Sequence, residues 1–265
     1  MLKIAVVALI IFVLAVLMTM TGRGGGNFYV LTLVLAGLPM HEAATTGQFV
    51  LFSTAGAAMF IFKKGKTLSV PLALFLGSLT ASMAFVGGFT AHSFSGNDLK
   101  IVFSILLALA GSAMLFTAEE NRKAPQQKLG YWNLKAGEET YVINLWLTVP
   151  VAMTAGFFSG MVGVSGGSFL VPLMVMACGV SMRIAVGTAS VMVAATAFSG
   201  FMGHALQGGF NPGWAIPIAA VTIFGGILGG KIALRTKPAF LKTLFAVTTL
   251  IAAVLMIINA SKSGG

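Results

Sequence analysis

The sequence predicts an all-α integral membrane protein of about ten transmembrane helices. These form two inverted five-helix repeats, with short broken helices meeting near the bilayer midplane. Three observations predict this: composition, the recurrence of long apolar runs, and a match of the chain to itself. Of 265 residues, 57% are hydrophobic and 8% charged, where a soluble domain carries roughly 25% charged residues to wet its surface. That balance excludes a soluble enzyme, a disordered chain and a disulfide scaffold. One cysteine, Cys178, forms no intrachain bridge, and nothing resembles a metal-binding Cys/His cluster.

The apolar runs cover approximately 4–20, 28–40, 43–62, 68–91 and 101–118, then 141–161, 169–180, 184–205, 214–233 and 240–258. Each is read as a helix, because a chain in lipid must satisfy its backbone internally and a barrel would alternate. The expected division is residues 1–118 for the first repeat, 119–141 for a solvated cytoplasmic linker and 142–265 for the second repeat. Tyr131 and Trp132 in the linker are expected at the headgroup level. The first run follows Lys3 but has a counterpart in the second half and no small-residue cleavage site after it, so it is read as a crossing and not a leader.

With every run crossing, one side receives Arg23, Lys63, Lys64, Lys66, Arg122, Lys123, Lys128, Lys135, Arg183, Lys231, Arg235 and Lys237. The other receives Lys3, Lys100 and Lys262, with Lys242 assigned to neither. The basic side is therefore expected in the cytoplasm, with both termini outside. The net charge of +10 is thus a topology signal; scattered over short loops, it forms no face for nucleic acid.

Shifted by 141 positions, Gly25-Gly26-Asn27-Phe28 falls on Gly166-Gly167-Ser168-Phe169 and Gly22 on Gly163. One residue later in register, at 142, Gly37 falls on Gly179, Ala43 on Ala185, Thr46 on Thr188 and Thr54-Ala55 on Thr196-Ala197. Gly87-Gly88 then meets Gly229-Gly230, and Leu99-Lys100 with Phe103 meets Leu241-Lys242 with Phe245. Five crossings per copy, an odd number, turn the second copy upside down. Inverted repeats of this kind are typical of secondary transporters, whose sites form where the repeats meet.

The glycine clusters are the sharpest candidates for chemistry. Gly25, Gly26 and Asn27, and Gly166, Gly167 and Ser168, each precede the shortest apolar run of their repeat, about 12 residues or ~18 Å of helix. Such a helix falls short of a ~30 Å hydrocarbon core, so its start is expected inside the membrane. Asn27 and Ser168 are read as N-caps, with glycines before them turning N–H groups to one point through left-handed angles. Exposed N–H groups and the positive dipole end then make an anion site. Against this stands the simpler role of glycine in tight turns and close helix packing.

Thr46, Gln48, Thr188 and Ser190, polar positions inside apolar helices, are the second candidate set, their donors suited to the oxygens of a small anion. A buried threonine or serine more often bonds its own helix carbonyl; a buried glutamine amide needs partners. Arg23 and Arg183 are lower-ranked candidates at the cytoplasmic mouth. His41 and His204 rank with them as gate residues able to titrate near neutrality. His92, Glu42 and Asp98 lie near helix ends, and no carboxylate falls mid-helix to relay protons.

The segments Gly-Arg-Gly-Gly-Gly-Asn-Phe (22–28), Gly-Val-Ser-Gly-Gly-Ser-Phe-Leu-Val-Pro-Leu (163–173) and Gly-Val-Ser-Met-Arg-Ile-Ala-Val-Gly-Thr (179–188) resemble the TauE/SafE sulfite exporter family. The resemblance spans both halves and implies a multi-pass permease of the bacterial inner membrane for sulfite or organosulfur anions, usually an exporter, working without ATP. It implies no enzyme activity and no cofactor; the partners are the anion and the lipid bilayer. The chain departs from the family where Thr45-Thr46-Gly47 and Gly187-Thr188-Ala189 replace Gly-Thr-Ser, and where Arg23 brings a charge into the first glycine cluster. Alternative functions are a channel-like anion facilitator or an importer of another small organic anion. Substrate, direction, coupling ion and oligomeric state are left open by the sequence.

Overall fold

The computed structural model describes residues 2–93, 95, 101, 104–105, 108–109, 111–112, 129–136, 139–164 and 166–263. Side chains are placed for most of these; those of His92, Lys135 and Glu139 are among the exceptions. In the first half the helices are α1 (Leu2–Met20), α2 (Gly26–Leu35), α3 (Met40–Lys64) and α4 (Val70–Thr90), followed by a 3₁₀ turn, Ala91–Ser93. The described residues between 101 and 112 are helical. A hairpin of β1 (Tyr131–Ala136) and β2 (Glu139–Asn144) leads into α5 (Leu145–Val162), α6 (Gly167–Met176), α7 (Met182–Leu206), α8 (Pro212–Arg235) and α9 (Pro238–Ser263).

Among the described residues, seven helices are long and apolar enough to cross a membrane, while α2 and α6 are shorter apolar helices of 10 residues each. At 1.5 Å per residue a 10-residue helix is about 15 Å long, half a hydrocarbon core. The long helices turn large apolar side chains outward, with Leu9, Leu74 and Phe224 all exposed, as a bilayer solvent requires. The chain is a multi-pass membrane protein. Most of the run 101–118, the linker residues 119–128, and Asp98, Leu99, Lys100, Phe103 and Ser165 lie outside the described residues.

Helices α3 and α7, each of 25 residues, form the centre and pack against each other and against α8 and α4. Glycines set the closest approaches. Gly87 of α4 faces the backbone of Phe157 and Met161 on α5, and Gly229 of α8 faces Val16 and Thr19 on α1. Small residues at such crossings let backbones meet, which lipid-embedded helices rely on for packing.

The hairpin corrects the sequence reading, which had only helices and began one at residue 141. Cross-strand pairing of Trp132 with Ile143 and Leu134 with Tyr141 puts four apolar side chains on one face, since residues alternate across a strand. Leu134, Tyr141 and Ile143 are buried with Leu72, Leu76, Leu170 and Met174, and Trp132 meets Phe75 edge-on at 5.2 Å between ring centroids. β-branched and aromatic residues suit a pleated, half-buried surface. Tyr141, Val142 and Ile143 are therefore apolar for a different reason from the helix that follows them.

Candidate functional site

The chain leaves α1 through a tight turn at residues 21–25. Gly22, at φ +75°, presses on the backbone of α7: a Cβ there would stand 2.8 Å from the Val186 Cα. Only a left-handed residue without a side chain fits. The turn between α5 and α6 repeats the contact with the halves exchanged. Gly163, at φ +77°, lies against Ala44 of α3, where an added Cβ would be 2.5 Å from its Cα.

These turns aim the starts of α2 and α6 at each other. A Cβ on Gly167 would lie 2.7 Å from the Gly22 carbonyl oxygen and 2.9 Å from Val193 Cγ2. Gly24 faces Leu51 and Val193, each the twelfth residue of a 25-residue helix. The two short-helix starts thus touch beside the middles of α3 and α7.

The caps differ from the expectation. Gly25 (φ 94°, left-handed) and Gly166 (φ −62°, right-handed) are the N-cap positions, without side-chain cap bonds. Asn27 and Ser168 are each the second helical residue. The left-handed residue of the second turn is Gly163, not Gly166. With a glycine ending each turn, the Asn27 and Ser168 side chains are released from capping and point across the junction. Asn27 Nδ2 donates to Ser168 Oγ at 3.4 Å.

Arg23 is the larger correction. The sequence reading set it at a cytoplasmic mouth; it is 1% exposed and lies inside the junction. Its Nε donates to Ser168 Oγ at 3.0 Å, and its Nη1 donates to Thr248 Oγ1 at 3.0 Å and Thr249 Oγ1 at 2.8 Å. The guanidinium carbon sits 5.3 Å from the centroid of the Phe245 ring, a cation–π arrangement. All these partners are neutral. A guanidinium carries five N–H donors, and among the described residues no acceptor takes those on Nη2 and no carboxylate pairs with Arg23.

The other candidates divide. Asn27, Thr46 and Gln48 are buried, and Asn27 Oδ1, Thr46 Oγ1 and Gln48 Oε1 have no hydrogen-bond partner among the described residues. The Gln48 amide nitrogen donates to the Ser159 carbonyl at 3.2 Å. In the second half the matched positions are engaged. Thr188 Oγ1 accepts from the Ser69 N–H at 3.0 Å, and Ser190 Oγ donates to the Gly187 carbonyl of its own helix at 2.6 Å.

Of the lower-ranked set, Arg23 joins the junction through its hydrogen bond to Ser168. Arg183 Nη2 donates to the Thr236 carbonyl at 3.1 Å, tying α7 to the end of α8. His204 is buried, its Nε2 2.7 Å from the Gly160 carbonyl oxygen on α5. His41 is half-buried near the start of α3, and its carbonyl accepts from Thr45 Oγ1. Sequence reasoning missed Thr248, Thr249 and Phe245. A pair of threonines one turn beyond a phenylalanine in an apolar helix was the available signal.

Comparison with known proteins bears on this arrangement. The family described as "Sulfite exporter TauE/SafE" matches residues 7–256. "Probable membrane transporter protein YunE" of Bacillus subtilis (strain 168) is 26% identical over 227 residues, covering 81% of this chain and 82% of that protein. "Probable membrane transporter protein YdhB" of the same organism is 23% identical over 257 residues, covering 95% and 99%. No solved structure shows significant similarity to the chain.

Proposed function

Because the chain belongs to the TauE/SafE sulfite exporter family, and is accordingly a membrane transporter, we propose that it exports a small sulfur-containing oxyanion by alternating access. The anion binds where the starts of α2 and α6 meet, and the observation that carries this is Arg23. Burying an unpaired charge costs several kcal/mol, on the order of the penalty per ion in protein interiors. With no carboxylate beside it among the described residues, Arg23 suits a charge that arrives from outside the chain. The Nη2 edge of the guanidinium, without an acceptor among the described residues, suits the oxygens of a sulfite or sulfonate, which accept paired N–H donors.

Two helix starts add partial positive charge, roughly half an elementary charge each. Thr46 and Gln48 complete the polar lining as secondary contacts. The two halves of the chain act as inverted repeats of five crossings, a reading supported by the exchanged contacts Gly22–Val186 and Gly163–Ala44. Rocking of one repeat against the other then opens the site to each side in turn. An inside-negative potential favours the outward leg of an anion by ~2.3 kcal/mol per charge per 100 mV.

A thermal-shift screen of the purified protein against sulfite, sulfate, thiosulfate, sulfoacetate and simple carboxylates tests the assignment, repeated with Gln48→Ala and Arg23→Gln. Sulfur oxyanions are expected to raise the melting temperature of the wild type, less so with Gln48→Ala and not at all with Arg23→Gln. A uniform shift in all three proteins would place the anions on the surface and end the proposal.

A further inference from the structure

The hydrogen bonds of Arg23 bear on transport as well as binding, on the premise that the junction is the anion site. Arg23 belongs to the first half of the chain, and its three acceptors, Ser168, Thr248 and Thr249, all belong to the second. Any rocking of one half against the other must strain or break these bonds. Breaking them without a ligand would leave a full charge with Phe245 as its remaining partner among the described residues.

A bound oxyanion changes the balance. It is a stronger acceptor than a hydroxyl, because charge-assisted hydrogen bonds are roughly twice as strong as neutral ones, and it neutralises the guanidinium. The bonds to Ser168, Thr248 and Thr249 then become dispensable. The empty protein is latched across its two halves; the loaded protein is released.

We propose that Arg23 makes this carrier an obligatory anion exchanger, in which the empty site cannot reorient and each outward anion is matched by one returning. Anions of equal charge moving in opposite directions carry no net charge. The potential that would favour simple export then cancels, and the gradient of the returning anion sets direction.

Wild-type protein in liposomes loaded with labelled sulfite provides the test. Efflux is expected to be at least tenfold faster into a medium containing sulfite than into chloride alone, and a potassium–valinomycin potential should leave the exchange rate unchanged. Ser168→Ala keeps the charge but removes one arm of the latch. It is expected to raise efflux into chloride and narrow the ratio at least threefold. Thr248→Val with Thr249→Val removes the other arm and serves equally should Ser168→Ala fold poorly.

Equal efflux with and without external sulfite, in protein that sulfite still stabilises thermally, overturns the exchange mechanism and leaves the binding site standing. A wild type that sulfite fails to stabilise, or an Arg23→Gln protein stabilised as much as the wild type, removes the binding site and the exchanger with it.

Discussion

Asn27 and Ser168 occupy matched positions in the two halves of the sequence and meet side chain to side chain at 3.4 Å. Residues that correspond under a two-fold rotation touch each other only near the rotation axis. This contact therefore marks the place where inverted copies would share a site, and Arg23, bonded to the same Ser168 oxygen, is the charge set on it.

Removing that charge separates a ligand anchor from a structural arginine. Arg23→Met deletes the guanidinium, whose acceptors Thr248 and Thr249 still donate to carbonyls of their own helix. A buried charge carries a desolvation penalty of several kcal/mol, which an apolar side chain avoids. The variant is expected to melt at or above the wild-type temperature in anion-poor buffer and to lose all stabilisation by sulfite. An arginine serving only the fold would lower the melting temperature and leave the sulfite shift intact.

The turns that aim the short helices should tolerate no side chain. Alanine at Gly22 or Gly163 combines a left-handed backbone, costing about 1–2 kcal/mol, with overpacking of about 1–3 kcal/mol. The overpacking falls on Val186 and Ala44 respectively. Both variants are expected to melt lower by similar amounts. Gly56→Ala is the control: a Cβ there meets nothing within 4 Å, so its melting temperature should hold or rise slightly, as helix propensity dictates.

Thr188 and Gln48 stood in the same candidate set, Gln48 the harder to explain by self-bonding, and the structure predicts that they differ. Thr188→Val deprives the Ser69 N–H of its acceptor, a loss of about 1–3 kcal/mol for a buried group left unsatisfied. It should lower the melting temperature with little change in sulfite affinity. Gln48→Leu removes an oxygen that already lacks a partner along with one bond to Ser159. It should cost less stability and weaken sulfite binding about tenfold, measured by titration calorimetry.

The seven long helices, the two short ones and the glycine turns before them were legible because apolar runs and glycine are local signals. Segment ends fell within a few residues of the helices, as at α3, expected over 43–62 and found at Met40–Lys64. The hairpin was not legible: Tyr141, Val142 and Ile143 are apolar like the helix they precede, and only pairing with residues 131–134 makes them a strand. Arg23 was misplaced because a charge between apolar runs resembles a loop cation until the turn carrying it is seen to fold inward. Its acceptors on α9 lie more than 220 residues away in the chain, a distance no local pattern spans.

Orientation in the membrane is an expectation from the basic loops that can be measured directly. Lys64 ends α3 and Gln207 follows α7, both exposed, and the helices between them place these positions on opposite faces in a ten-crossing arrangement. The positive-inside bias predicts Lys64 on the cytoplasmic side. The native Cys178 is buried and should contribute little labelling. An impermeant maleimide applied to intact cells is expected to label Gln207→Cys, with Lys64→Cys reacting only after the membrane is opened. The reverse pattern would invert the topology; labelling of both from one side would mean that the count of crossings between them is even.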